Sequence, residues 1–90
     1  MTNKNLNDSL SHLHAELKKV KHVDKASSEL LNKLGQDIQR ILDNPGEVPE
    51  GHHKSLRANL DKSVAHFAVS HPALASLMIR VINMLSEMGI

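Results

Sequence analysis

The segment PALASLMIRVINMLSEM, Pro72 to Met88, constrains the fold more than any other part of the chain. On a helical wheel at about 100° per residue, Leu74, Ala75, Leu77, Met78, Ile79, Val81, Ile82, Met84, Leu85 and Met88 cover about 220°. Ser76, Arg80, Asn83 and Glu87 form the remaining polar face. A helix lying on one neighbour needs an apolar stripe of only about 100° or a little more, so this helix has at least two apolar neighbours. They are either helices of its own chain or a second copy. Leaving Ile79 and Met84 in water forfeits about 1.5–3 kcal/mol each, large against a total stability of roughly 5–10 kcal/mol.

The rest of the chain offers narrower stripes. Leu6, Leu10, Leu13, Leu17 and Val20 recur at spacings of three and four and span about 80°, the width of a coiled-coil seam. Lys18, Lys19 and Lys21 crowd the end of that helix, where cations suit the dipole. Asp24 is placed to cap a second helix. Leu30, Leu31, Leu34, Ile38, Ile41 and Leu42 give that helix a stripe of about 100°, with Gly35 at its edge at a cost of about 1 kcal/mol relative to alanine. Gly35 marks either a close helix contact or a tolerated imperfection. Pro45, Gly46, Pro49 and Gly51 in DNPGEVPEG stop the second helix. Leu56, Leu60, Val64 and Phe67 make a third stripe of about 80°. The break SHP follows, with Ser70 or His71 as cap and Pro72 in the first turn of the fourth helix. Gly89 is a left-handed C-terminal cap, across which Ile90 packs back on Met84 or Leu85.

The expected fold is therefore all-α, a single domain over 1–90. It has two helical hairpins, with helices at about 6–21, 24–44, 52–68 and 72–88, and a Pro/Gly linker at 45–51. Packing is coiled-coil-like or that of a four-helix bundle. Because four short helices with narrow stripes hardly surround such a helix in a monomer, a homodimer is expected. Its candidate interface is Leu77, Met78, Ile79, Val81, Ile82, Met84, Leu85 and Met88.

Composition removes several function classes. Lys and Arg total 11, Asp and Glu total 10, and the net charge is +1, so no strong field draws the chain to nucleic acid or membrane. Phe67 is the single aromatic residue, and a stacking platform for single strands needs several rings. Without cysteine there is neither a disulfide framework nor a thiolate metal site. The opening MTNKNLNDSL is not a secretory signal, and no segment reaches the roughly 18 apolar residues of a membrane span. The default compartment is the cytoplasm.

The motifs HKSL (His53–Leu56), Val64, Phe67, SHP (Ser70–Pro72), Leu74, Val81 with Ile82, Leu85 and the ending GI resemble a bacterial family of short proteins, domain-of-unknown-function family 4404. The resemblance runs along essentially the whole chain and is most specific from His53 onward. It implies a small, cytoplasmic, all-helical bacterial protein, and brings no activity, cofactor or catalytic residue. Where the family often has an acidic residue after the phenylalanine, this chain has Ala68.

Seven histidines raise the question of a metal, since imidazole binds zinc, copper and nickel. None of the pairs has the i, i+4 spacing of a helical HExxH site. Asp8, His12 and Glu16 share a face, where i, i+4 charge pairing is the simpler role. His53, His66 and His71 are the trio that a helix break could bring together, as a metal or pH sensor. Ser70 beside His71 is not a dyad, because sequence neighbours rarely meet in reacting geometry. The expectation is no enzyme, no catalytic residue and no cofactor. Lys18, Lys19, Lys21 and Lys25 form a candidate basic patch, sufficient only for salt-sensitive, nonspecific nucleic-acid binding. Self-association, or contact with another protein, is the favoured function.

Overall fold

Four helices form in the computed structural model, which describes residues 2–20, 24–43 and 50–89, with side chains from Asn5 in the first of these segments and from Gly51 in the third. They are α1 (Thr2–Lys19), α2 (Lys25–Leu42), α3 (Glu50–Phe67) and α4 (Pro72–Glu87). α1 begins four residues before the expected start, because the leucine stripe marks only the covered part of the helix. It ends at Lys19, leaving Val20 beyond it; Lys21 lies outside the described residues. α2 starts as expected. Asp24 is its N-cap, and the Asp24 carboxylate accepts a hydrogen bond from the Ser27 amide at 2.8 Å. Of the expected linker, Glu50 and Gly51 belong instead to the first turn of α3, where glycine is well tolerated. Pro45, Gly46 and Pro49 lie outside the described residues.

The α3–α4 junction works through the backbone. The His71 amide donates to the Phe67 carbonyl at 2.8 Å, and the His71 carbonyl accepts from Ala75 at 3.0 Å. The imidazole makes no capping hydrogen bond; its Nδ1 lies 3.1 Å from the Ser70 hydroxyl. Pro72 then occupies the first turn, where a missing N–H costs nothing. At the other end Gly89 takes φ +85°, the left-handed conformation that glycine adopts without a Cβ clash. Ile90, expected to fold back there, lies outside the described residues.

Each helix packs against its chain neighbours, and α4 closes the ring against α1; the diagonal pairs α1/α3 and α2/α4 do not meet. The connections are short, so neighbours run antiparallel. The 35 × 21 × 19 Å envelope is one helix long and two helices across. Leu6, Leu10, Leu13 and Leu17 from α1 fill the axis with Leu34, Ile38 and Ile41 from α2. Leu56, Leu60 and Phe67 join from α3, and Leu74, Met78, Val81 and Leu85 from α4.

The two neighbours that α4 requires are thus α1 and α3 of its own chain. The stripes of α1 and α3 cover most of the helix's apolar face. Each points at the bundle axis, and the helix shoulders cover the flanks of the wide one, leaving Leu77, Ile82, Met84 and Met88 half-buried against the core.

Candidate functional site

The least ordinary chemistry lies where α2 meets α3. A helix interface normally buries apolar side chains, yet here Asp37, Asn59, Ser63 and Ser27 are all buried. Asp37 Oδ2 accepts from Asn59 Nδ2 at 2.6 Å and from the Ser55 hydroxyl at 3.3 Å. Arg40 Nη1 stands 4.0 Å from Asp37 Oδ1. The Ser63 hydroxyl donates to the Asn59 carbonyl one turn back, at 2.8 Å. A carboxylate moved out of water costs several kcal/mol unless hydrogen-bonded, and these partners offset that cost.

The same seam ends in a serine and a histidine in contact, Ser27 Oγ to His66 Nε2 at 2.5 Å. Ser27 also fixes the cap. Its backbone amide, then its hydroxyl, hold the Asp24 carboxyl below the ordinary 3.8; burial opposes them weakly and the nearby His66 adds to them. A serine hydroxyl on an imidazole is the contact by which hydrolases activate a nucleophile. Here Ser27 is only 6% exposed, and the pair bridges α2 and α3.

None of these four buried groups was singled out by the sequence. The signal was present: Ser55, Asn59, Ser63 and His66 recur at steps of four and three beside the Leu56–Leu60–Phe67 stripe, and Asp37 precedes Ile38. A polar row of that kind ordinarily marks a solvated face, and its one-dimensional pattern is the same when buried.

Of the histidine trio, two come together. His66 and His71 both set their rings edge-on to Phe67, with centroids 4.9 and 5.6 Å away. His53 is left about 20 Å further along α3, given a rise of about 1.5 Å per residue. Among the described residues no group of three or more His, Asp or Glu side chains is arranged to hold a metal ion. In the Asp8–His12–Glu16 row, the contacts centre on Glu16. His12 Nε2 is 3.9 Å from Glu16 Oε1, and Lys19 Nζ is 3.2 Å from the same oxygen.

The candidate interface on α4 divides. Met78, Val81 and Leu85 are fully buried in the chain's own core, not on its surface; the ring of four helices already uses them. Leu77, Ile82, Met84 and Met88 are half-buried, and Ile79 is 44% exposed. Ile79 stands in a row Pro72, Ala75, Ile79, Ile82, Ser86 at steps of three and four. Val69, in the turn before α4, is 95% exposed.

Lys18 and Lys19 are exposed on the last turn of α1, with Lys19 engaged by Glu16, and Lys25 opens α2. An open groove of about 460 Å³ runs between α1 and α2, bordered by His14, Leu17, Lys18, Leu31, Asn32, Gly35, Gln36 and Gln39. A smaller one, about 280 Å³, lies where Glu16, Lys19 and Val20 approach His71, Pro72, Ala73 and Leu74. No described helix is long and apolar enough to cross a membrane.

The model of one protein family, the domain of unknown function DUF4404, matches residues 6–90. No curated protein and no solved structure matches the chain.

Proposed function

The chain belongs to the DUF4404 family, and from that premise we propose that it is a helical-bundle interaction module that works by self-association along the outer edge of α4. The observation that carries this is Ile79, the one large apolar side chain left exposed on the described helices. It stands in a three–four row with Ala75 and half-buried Ile82, on a helix already more apolar than its two neighbours require. Two such edges pairing antiparallel remove the exposed part of Ile79 from water in both copies.

The association is weak and reversible. The core closes within one chain, so the folded monomer does not depend on a partner. The free apolar edge also centres on one exposed isoleucine, whereas stable complexes bury roughly 1,200 Å² or more. Sedimentation velocity from about 10 μM to about 1 mM, a range in which contacts worth roughly 4–7 kcal/mol become populated, is the test. The expected result is a mass that rises with concentration and rises less for Ile79→Glu. An unchanging monomer mass over that range removes the proposal.

A further inference from the structure

Gly35 carries a cost that nothing in its own chain repays. A glycine within a helix forfeits about 1 kcal/mol relative to alanine. Yet a Cβ added at Gly35 meets no atom within 4 Å, and its φ is not in the left-handed region. The ends of α2 are similarly placed against local preference. Lys25 stands in the first turn and Asp43 at the C-cap, each of the sign that the helix dipole disfavours there. Both are exposed. The residues joining them, Lys25, Ser28, Asn32, Gly35, Gln39 and Asp43, follow at steps of three and four and span about 80° of the helix. Asn32, Gly35 and Gln39 of this row border the α1–α2 groove.

We propose that the row is a pairing surface for the α2 helix of a second copy, antiparallel about a two-fold axis. The row is complementary to its own reverse. Lys25 faces Asp43, Ser28 faces Gln39, and Asn32 faces Gly35, each contact occurring twice, as a two-fold interface requires. Gln39 Nε2 already donates to Asp43 at 2.7 Å, which leaves its carbonyl oxygen to accept from the Ser28 hydroxyl of the second copy. Asn32 lies over the bare backbone of Gly35, the space a Cβ would take. Lys25 and Asp43, misplaced for their own helix dipole, meet the opposite charge and the opposite helix end of the partner. The contact is polar and salt-sensitive. It goes beyond the α4 edge and does not depend on it, because α2 and α4 are diagonal in the ring.

The test is made in the Ile79→Glu chain, where the α4 edge is disabled, by sedimentation equilibrium at low and high salt. That chain forms dimers at low salt. Lys25→Asp or Asp43→Lys weakens them about tenfold, since two charge pairs become like-charge contacts at once. Neither variant lowers the melting temperature, because each suits the dipole better than the native residue; this separates lost association from lost folding. The double variant Lys25→Asp/Asp43→Lys restores dimerisation. If the Ile79→Glu chain is monomeric at low salt while the wild type associates, the α2 surface is wrong and the α4 edge stands. A double variant no better than either single one also overturns the α2 surface.

Discussion

Asn59 Nδ2 donates to Asp37 Oδ2 at 2.6 Å across the α2–α3 interface, and both residues are buried. This bond ties the two hairpins together at mid-bundle and sets the register in which Ile38 and Leu60 reach the core. A polar contact inside an apolar interface has one geometry that satisfies it, whereas leucine packing tolerates several.

Asn59→Ala is expected to destabilise the fold by about 2–3 kcal/mol in urea denaturation, because a hydrogen bond to a buried carboxylate is lost and the charge stays. The double variant Asp37→Leu/Asn59→Leu, which removes both groups, is expected to cost less than Asn59→Ala. A double variant that costs more contradicts a register role.

Asp24 gives a pH dependence. Its folded carboxyl sits below the ordinary 3.8, so its contribution is full above that value and fades as the pH falls through and below it. The stability difference between wild type and Asp24→Asn is expected to shrink below about pH 4. A difference that grows as the pH falls below about 4 has the wrong sign for a cap.

Gly35→Ala is expected to raise stability by about 1 kcal/mol, since the added methyl meets nothing within 4 Å and the helix gains propensity. Thermal denaturation of the dilute monomer reads this directly. A loss of stability would mean that Gly35 has an unseen packing role.

Met78 and Ile79 are neighbours in sequence with opposite environments. Met78→Ala is expected to cost about 2–5 kcal/mol as a core truncation. Ile79→Ala is expected to cost no more than about 1 kcal/mol in the monomer. Equal losses would place both side chains in the core.

Phe67→Ala is expected to cost about 3–5 kcal/mol, because Phe67 is fully covered. The same change removes the ring that His66 and His71 share, so the imidazole proton shifts of both are expected to move in NMR spectra. Shifts unchanged at both histidines would remove the edge-on contacts.

Much of this architecture was legible in one dimension. The leucine spacing of α1, the cap at Asp24, the SHP break and the Gly89 terminus are short-range features. Each depends on residues within a turn or two, where helical periodicity and backbone sterics act almost alone. The four helices and their apolar stripes follow from that periodicity, and helix ends differ by a few residues where polar turns extend beyond the stripe.

Which neighbours serve the wide face of α4 was settled only in three dimensions. Periodicity reports how much surface a helix must cover, and says nothing of whether the cover comes from its own chain. The buried Asp37–Asn59 pair and the Ser27–His66 contact were hidden for a related reason. A serine, asparagine or aspartate has the same one-dimensional signature on a solvated face as in a satisfied interior. The difference is made by a partner 22 or 39 residues away, brought into hydrogen-bonding range when the hairpins close around a common core.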